Sequence, residues 1–398
     1  MDIDRLICDR SRRIDASGIR RVFELGATLK DPINLSIGQP DFPVPEAIKL
    51  AAIDAIHANR NGYTLTQGVQ PLRDRAARHV REDLGWDVDG SAPNGPPHRP
   101  SLLVSPGTSA ALLLAFLSLV GPGDEAIIPD PWFVLYPHLA TLTGGKAVVC
   151  DTYPDFRMTA ARVEKFITPR TKLVLLNSPG NPTGVVLTQR ECDDLHDLCR
   201  AKGVVLISDE IYDEFTYSDA REQVPPPGSR ARCPSPARRE GSFETVLVVR
   251  GLGKTYGVTG WRLGYAVGHP RLISEMTKLQ QYTYVCAPAP LQWGGVAAFD
   301  VDMSPHIAEY QRRRDMVVSR LASVTDVATP GGAFYAFVRV PAKLNMTASA
   351  FCDAAVKRSI LIIPGNVFSS RDTHFRLSFA TDARSLERGL DGLATMMG

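Results

Sequence analysis

Residues 251–264 read Gly-Leu-Gly-Lys-Thr-Tyr-Gly-Val-Thr-Gly-Trp-Arg-Leu-Gly. An apolar run from Val246 to Val249 precedes them, and Arg262 opens a second apolar run. The pattern predicts that Lys254 lies in a bend between two strands, where glycines allow backbone conformations closed to other residues and let a ligand approach. Most lysines are solvated surface charges. The position of Lys254 among glycines nevertheless makes it a candidate functional residue.

A phosphate-binding P-loop is one alternative interpretation of this lysine. The tripeptide Gly-Lys-Thr at 253–255 matches the end of the motif G-x-x-x-x-G-K-[ST]. The first glycine of that motif would fall on position 248, which holds Val248. Asp209 and Glu210 follow a predicted strand as in a Walker B element, but they precede the supposed Walker A. The sequence therefore does not favour a nucleotide site.

The lysine stretch resembles the signature of class I/II aminotransferases, which are fold type I enzymes of the aspartate aminotransferase type. Enzymes of this family use pyridoxal 5'-phosphate (PLP). The resemblance places Lys254 at the Schiff-base position and Arg262 at the cofactor phosphate. Many family members carry a serine just before this lysine or two residues before it, where this chain has Gly253 and Leu252. We therefore expect one phosphate hydrogen bond to be missing.

The composition of the chain is that of a soluble globular protein. Its 398 residues, 44% of them hydrophobic, can bury a large core and supply material for two to three domains. The net charge of +2 comes from nearly balanced signs, so no overall field favours nucleic acid or an anionic membrane. Partner specificity must therefore come from a local site.

The cysteine content and the N-terminal sequence indicate the cellular compartment in which we expect the protein. The 7 cysteines are odd in number and include no C-x-x-C pair, so we expect neither a disulfide framework nor a metal site. Residues 1–5 contain acids and no apolar core, so we expect no secretory signal. No apolar run has the length of a membrane span. We expect a cytoplasmic location and no membrane partner.

Short apolar runs alternate with helical patterns from residue 101 onward. The runs cover residues 102–104, 126–128, 147–149, 173–176, 204–207, 246–249 and 263–267. Short buried strands separated by helices predict an α/β fold with a doubly wound, mainly parallel sheet. Ligands of such sheets bind at the carboxyl ends of the strands.

The predicted domain organisation follows from these patterns. Residues 1–45 are expected to form an N-terminal arm that folds back onto a small domain. Residues 46–285 are expected to form a large PLP-binding domain, and residues 286–398 a smaller α+β domain. Residues 89–97 have the composition of a surface loop. Residues 218–242, rich in Pro, Arg, Ser and Gly, have the composition of a mobile insertion.

Several turn motifs fall at the predicted strand ends. Residues 105–112, 177–184 and 208–212 each have an ordinary explanation as a helix cap or a turn. A helix N-terminus also presents free N–H groups to an anion such as a phosphate ester. By resemblance, the cofactor phosphate is bound by Gly107, Thr108 and Ser109, the ring face by Phe133, the phenolic oxygen by Asn181 and Tyr212, and the pyridine nitrogen by Asp209. Trp132 remains an alternative to Phe133.

The resemblance also implies how the substrate is bound. Gly38 begins a Gly-Gln-Pro-Asp-Phe segment whose glycine backbone approaches the substrate in the family. Arg376, in the sequence Phe-Arg-Leu-Ser-Phe, matches the arginine that binds the substrate α-carboxylate through paired hydrogen bonds. Asn181 belongs to both the cofactor and the substrate set. Tyr63 matches a tyrosine that reaches the cofactor phosphate of the other subunit, which implies a homodimer with shared active sites.

The function implied is transfer of an amino group from an L-amino acid to a 2-oxo acid, with 2-oxoglutarate as the expected acceptor. A lyase of the same fold, of the carbon–sulfur β-lyase or aminocyclopropane-carboxylate synthase type, would share these residues because they build the cofactor site. A non-catalytic PLP-binding regulatory module is a more distant alternative, because no DNA-binding segment precedes residue 15. The many arginines give no way to choose the donor amino acid.

Overall fold

The structure is a computed structural model that describes residues 1–16, 18–26, 29–88, 98–221 and 233–398. The predicted surface loop at 89–97 lies outside the described residues, as does the central part, 222–232, of the predicted insertion. The strands are β1 Ile33–Asn34, β2 Ser101–Ser105, β3 Glu125–Asp130, β4 Lys146–Asp151, β5 Thr171–Asn177, β6 Val205–Asp209, β7 Val246–Gly251, β8 Gly264–Gly268, β9 Tyr335–Arg339, β10 Ile360–Leu361, β11 Ile363–Pro364 and β12 His374–Ser378.

Helices connect these strands and cover the sheets. They are α1 Asp9–Arg12, α2 Gly18–Gly26, α3 Glu46–His57, α4 Gln70–Leu84, α5 Thr108–Leu119, α6 Tyr136–Thr143, α7 Ala160–Val163, α8 Gln189–Lys202, α9 Ser218–Arg221, α10 Leu252–Thr255, α11 Pro270–Thr283, α12 Ala289–Ala298, α13 Ser304–Leu321, α14 Ala348–Val356 and α15 Ala383–Met397. In the described part of the chain, none of them has the length and apolar character needed to cross a bilayer.

The large sheet has seven described strands in the order β2-β8-β7-β6-β5-β3-β4. Strand β8 is antiparallel to both of its neighbours, and the other paired strands are parallel. Side chains of β7 alternate between two cores: Val246 and Val248 pack with α3, α4 and α8, whereas Leu247 and Val249 pack with α5 and α11. This alternation places apolar layers on both faces. The predicted doubly wound, mainly parallel sheet is confirmed.

A second, antiparallel sheet has the order β11-β12-β9 and packs with α13, α14 and α15 around a separate core. Strand β1 pairs in parallel with β10, with Ile33 opposite Ile360, and Leu35 belongs to the same core. The N-terminal segment therefore lies beside the C-terminal part of the chain. The domain boundaries at residues 46 and 286 stay predictions.

The structure differs from the sequence expectation at the lysine stretch and in the predicted insertion. Residues Leu252–Thr255 form one helical turn, α10, rather than a simple bend, and it is closed by the N–H of Tyr256 donating to the carbonyl of Leu252. The second half of the stretch expected to be mobile is packed, because Ser235 and Arg238 bond to buried carboxylates of Glu210 and Asp83.

Candidate active site

A cavity of about 410 Å³ opens at the carboxyl ends of the parallel strands of the large sheet. Strands β5 and β6 contribute their last residues, Asn177 and Asp209, and α10 contributes Lys254. The predicted site residues that line this cavity are Gly38, Gly107, Thr108, Ser109, Phe133, Asn181, Asp209, Tyr212, Lys254, Arg262 and Arg376. Motifs from distant parts of the sequence thus meet in one place.

Lys254 lies in α10 with its Nζ donating a hydrogen bond to the carbonyl oxygen of Gly38. Burial, together with the positive charges of Arg376 and Arg262, lowers the pKa of Lys254 to about 8. Desolvation and like charges both disfavour the ammonium form. The neutral amine, which is the nucleophilic form, is therefore more populated near neutral pH than in an ordinary lysine.

Asp209 ends β6 on the floor of the cavity. Burial raises the pKa of its carboxyl to about 6, while hydrogen bonds from the Tyr136 hydroxyl and the Ile211 N–H oppose that rise. The hydroxyl lies 2.8 Å from Asp209 Oδ2. Because the charge is buried, a cationic N–H placed against this carboxylate would stabilise it.

One end of the cavity is built to receive an anion. Helix α5 begins at Thr108, and the N–H groups of a first helical turn have no partners within the helix. Gly107 precedes it with a φ of 79°, and a Cβ there would lie 2.7 Å from Nη2 of Arg262. Arg262 is itself oriented by donating to the carbonyl of Thr259 at 3.1 Å. A guanidinium and a helix N-terminus thus face the same space.

Arg376 lies on β12, buried against two aromatic rings, Tyr335 at 4.4 Å and Phe368 at 4.8 Å. It donates to Asn181 Oδ1 at 3.1 Å and to the carbonyl of Ser36 at 2.9 Å. Within the described residues it forms no salt bridge, and its buried Nε has no hydrogen-bond partner. A buried cation with donors to spare is suited to a substrate carboxylate.

Amide and phenol groups form the remaining polar wall. The N–H of Asn181 donates to Asn177 Oδ1 at 2.9 Å, and Asn177 Nδ2 donates to the carbonyl of Asp209 at 3.0 Å. The hydroxyls of Tyr212 and Tyr335 lie 3.2 Å apart, and burial raises the pKa of both. Both phenols therefore keep their protons and can donate hydrogen bonds at neutral pH.

Of two further predicted site residues, Phe133 lines the cavity and Tyr63 does not. Phe133 lines the cavity and contacts Tyr136 edge to face at 5.7 Å, whereas its alternative, Trp132, is outside the lining. Tyr63 is 87% exposed and does not line the cavity of the single chain. Its predicted role can be fulfilled only in the site of a partner subunit.

The sequence interpretation assigned no role to three residues that the structure places in the lining. Tyr136 donates to Asp209, Asn177 holds the backbones of Asn181 and Asp209, and Tyr335 contacts both Tyr212 and Arg376. Asn177 and Tyr136 stand in motifs that were already of interest, so their positions at strand and helix ends offered a signal. Tyr335 belongs to an alternating apolar strand, where nothing distinguished it from core.

The residues present fit pyridoxal phosphate. The glycine at 107 leaves open the space beside Arg262 that a Cβ would fill, which suits a phosphate. Lys254 supplies an amine of lowered pKa, and Asp209 supplies a buried carboxylate for a ring N–H. The orphaned Nε of Arg376 leaves a donor for the carboxylate of an amino acid.

Comparisons with known proteins give a consistent result. Residues 30–393 match the family model described as aminotransferase class I and II. An aspartate aminotransferase of Pyrococcus abyssi is 31% identical, with 98% of this chain and 97% of that protein covered. An aromatic-amino-acid aminotransferase of Thermococcus litoralis is 29% identical, with 98% of both chains covered.

Solved structures agree with the sequence relatives. The aspartate aminotransferase of Thermotoga maritima superposes with a TM-score of 0.88 at 29% identity, covering 98% of this chain and 99% of that one. The aromatic aminotransferase of Pyrococcus horikoshii gives 0.84 at 30% identity, covering 95% and 98%. The likeness therefore extends over both sheets and the cavity between them.

Proposed function

This chain belongs to the class I and II aminotransferases and is a pyridoxal-phosphate-dependent transaminase, and from that premise we propose which of its residues carry the reaction. One observation carries the proposal: Lys254, Asp209, Arg262 and Arg376 line a single cavity. When bound, PLP supplies an electron sink for the bonds at the amino acid Cα. The protein supplies binding, orientation and proton transfer.

The phosphate is held at the N-terminus of α5. The backbone N–H groups of Thr108 and Ser109 and the guanidinium of Arg262 surround the space left open by Gly107. These groups are fixed before the ligand arrives, because the backbone of helix α5 orients the N–H groups and the bond to Thr259 orients Arg262. Tyr63 of the partner subunit adds a hydroxyl.

The pyridine ring of PLP would be held by Asp209 together with Phe133, Asn181 and Tyr212. Asp209 pairs with the ring N–H, and Tyr136 keeps that carboxylate oriented through its 2.8 Å hydrogen bond. Phe133 would contact the ring, and Asn181 and Tyr212 would donate to the phenolic oxygen, since all three line the cavity. Keeping the ring nitrogen protonated is what lets the cofactor withdraw electrons.

Lys254 anchors the cofactor and then moves the proton. Its Nζ would hold the cofactor, and as a free amine it would accept the proton from the substrate Cα as a general base. Its lowered pKa of about 8 suits both accepting and returning a proton near neutral pH. Arg376 holds the α-carboxylate through its free donors, with the Gly38 backbone beside it.

The donor is an L-amino acid and the acceptor 2-oxoglutarate. Incubation of the PLP-loaded enzyme with a panel of L-amino acids and 2-oxoglutarate tests this assignment. We expect glutamate and the matching 2-oxo acid to form in equal amounts, and we expect no turnover without an acceptor. Release of ammonia and pyruvate in the absence of any acceptor would identify a lyase instead.

The active assembly is a homodimer with shared sites. Helix α3 exposes Leu50, Ile53 and Ile56 on one stripe, and Tyr63 and Leu65 are also exposed nearby in sequence. Apolar residues spaced along one helix face and left exposed are typical of an interaction surface. Light scattering of the full chain tests the assembly, with twice the chain mass expected and the mass of a single chain as the contradicting result.

A cytoplasmic location is part of the proposal. Its support is the seven free cysteines, five of them buried, which suit a reducing compartment. Fractionation of cells that produce the full chain tests this location, and recovery with a membrane or secreted fraction would contradict it.

A further inference from the structure

A cluster of buried ion pairs lies beside the cavity, at the ends of β6 and β7. Arg250, only 1% exposed, places its Nη2 2.6 Å from Asp83 Oδ2 and 2.7 Å from Glu210 Oε2, and its Nε 3.4 Å from Asp213 Oδ2. Arg238 adds a contact of 2.7 Å to Asp83 Oδ1. None of these five side chains lines the cavity, and the proposed reaction uses none of them.

Glu210 is the member of the cluster next to the site, since it follows Asp209 directly. Both of its carboxylate oxygens are held. Arg250 Nε donates to Oε2 at 2.9 Å, and the hydroxyls of Ser208 and Ser235 donate to Oε1 at 2.9 and 2.5 Å. A shift of Glu210 would therefore carry Asp209 with it.

Strand pairing joins the cluster to the lysine as well. Asp209 lies opposite Val249 across β6 and β7, and Arg250 follows Val249 in the strand that leads into α10. At Gly251, the last residue of β7, a Cβ would lie 2.7 Å from the Cδ1 of Ile211, two residues after the end of β6. Arg250 thus connects the two strand ends that carry Asp209 and Lys254.

The charges of the cluster act on Asp209. Glu210 helps raise the pKa of Asp209, after the larger effect of burial. Burial would also raise the pKa of Asp83, but Arg250 and then Arg238 outweigh it and hold that pKa at about 2. Arg250 is therefore the cation that offsets buried negative charge beside the site.

We propose that Arg250 is a positioning residue for transamination: by binding Glu210 it fixes Asp209 and balances the buried negative charge beside the cavity. This inference rests on the proposed roles of Asp209 and Lys254. Arg250 touches neither substrate nor cofactor, and its effect passes through Glu210.

Other ionisable groups face the same region and stay unchanged in the test. Tyr136 and Tyr212 face Asp209, Arg262 and Arg376 face Lys254, and His79 and Tyr265 border the cluster. Because they are common to all variants, differences between variants report the altered charge alone.

The experiment is a pH titration of the visible absorption of the PLP-loaded enzyme, whose midpoint reports protonation at the Lys254 nitrogen. Removing a nearby cation raises pKa values, and removing an anion lowers them. We expect Arg250→Met to raise the midpoint by about 0.5–1 pH unit and Glu210→Gln to lower it by a similar amount. The double variant should return close to the wild-type midpoint, and Arg250→Lys should stay near it.

Steady-state kinetics give a second readout. Arg250→Met should lower kcat while KM for the amino acid stays within about twofold, because the residue acts on Asp209 and not on substrate binding. Should this variant fail to fold, Glu210→Gln and Arg250→Lys carry the test, since both leave a partner for every buried carboxylate or arginine they touch.

A matched control and the contradicting results complete the test. Arg314 is also buried, at 4% exposure, and pairs with Asp219 and Asp315 outside the cavity. Arg314→Met should lose stability without moving the midpoint. An unmoved midpoint in folded Glu210→Gln would overturn the proposal for Arg250. A wild-type absorption band that persists in Lys254→Ala would instead overturn the proposed function beneath it.

Discussion

At Asp209, burial disfavours the charged carboxylate that the proposed chemistry requires. A carboxylate buried at the end of β6 loses its hydration, and this raises its pKa to about 6. The Tyr136 hydroxyl at 2.8 Å recovers part of that loss. The residual cost is offset when a cationic ring N–H binds, so the same burial that disfavours the charge makes it selective for PLP.

This account predicts how PLP affinity depends on pH. As pH falls through about 6, Asp209 takes up a proton and loses the charge that pairs with the ring nitrogen, so the dissociation constant of PLP from the apoprotein should rise. Tyr136→Phe removes a donor that favours the ionised form. The rise should then begin about 0.5–1 pH unit higher, as measured by fluorescence titration.

The control for this prediction is a partly buried tyrosine at some distance in sequence, Tyr153. Tyr153 bonds Ser369 through its hydroxyl and lies outside the cavity. Tyr153→Phe should follow the wild-type pH dependence. Identical curves for the wild type and Tyr136→Phe would mean that Tyr136 does not support the charge of Asp209.

Gly253 offers a gain-of-function test at the same scale. A Cβ at this position would meet only ordinary contacts, 3.4 Å from Thr259 Cα, so a serine fits. Gly253→Ser should add one hydrogen bond to the phosphate and tighten PLP by about 2- to 10-fold, from about 0.5–1.5 kcal/mol per bond. Gly260→Ser, where a Cβ meets nothing within 4 Å, is the control. Equal affinities in both variants would argue against a phosphate at this position.

Site residues could be predicted from the sequence wherever a charged residue stood in an unusual local sequence. Lys254 among glycines and Arg376 in an apolar strand were found this way, and both line the cavity. Tyr335 was missed because an aromatic in an alternating strand is most often core. Tyr335 differs from a core residue by its contact with Arg376. The two residues are far apart in the sequence, so a local sequence pattern does not reveal this contact.

At the scale of elements, the turn from β2 into α5 places the strictest requirement on residue type, because it requires glycine at position 107. Gly107 has a φ of 79°, which L side chains rarely adopt, and a Cβ there would approach Arg262 Nη2 to 2.7 Å. Both the backbone and the space beside it require glycine. Gly85 provides a comparison, because its φ is 77° but a Cβ there would meet nothing within 4 Å.

The pair Gly107→Ala and Gly85→Ala separates strain from function. Gly85→Ala should lose about 1–2 kcal/mol of unfolding free energy from its left-handed backbone, and Gly107→Ala, whose φ of 79° and ψ of 168° lie in a region nearly closed to side chains, about 1–3 kcal/mol. Only Gly107→Ala should also weaken PLP binding, by at least about tenfold, because it displaces the arginine that holds the phosphate. Thermal unfolding and PLP titration measure the two effects, and equal PLP affinities would contradict the assigned phosphate site.

The sequence predicted the elements well but not their ends. Apolar runs located the strands of the large sheet, yet Asp209 proved to be the last residue of β6 rather than the first residue after it. The run 360–363 divides into β10 and β11, which pair with different strands. Such details depend on which neighbour supplies the hydrogen bonds, and that is decided by tertiary packing.

At the scale of the molecule, the role proposed for Tyr63 requires two chains. Its side chain is 87% exposed, and it contributes to a site only if a second copy covers this surface. In that arrangement each site combines Lys254 of one chain with Tyr63 of the other. Hybrids of two defective chains test the arrangement directly.

We predict that Lys254→Ala and Tyr63→Phe chains, unfolded together and refolded into mixed dimers, regain one intact site. Half of the sites in purified hybrids should then show wild-type PLP affinity, which neither parent shows, because each parent lacks one contribution to every site. Affinity no better than that of Tyr63→Phe would place Tyr63 in its own chain's site or outside any site. The hybrid of Lys254→Ala with wild type serves as the control.

The overall architecture was accessible from the sequence, because alternation of buried strands with helices admits few topologies. The doubly wound sheet and the return of the N-terminal segment to the C-terminal part were both expected, and β1 pairs with β10 as the latter requires. The packing of residues 233–242 was not expected. Their Pro, Arg and Ser content has the composition of a loop, and only the buried Glu210 and Asp83 explain why they are ordered.

The most direct measurement locates the covalent attachment of PLP. The loaded enzyme is reduced with borohydride, digested and analysed by mass spectrometry. We expect the pyridoxyl group on the peptide that contains Lys254, no label in Lys254→Ala, and full label in a variant of the exposed Lys278. A label on any other lysine of the wild type, or none, would contradict the account of this cavity as the site of transamination.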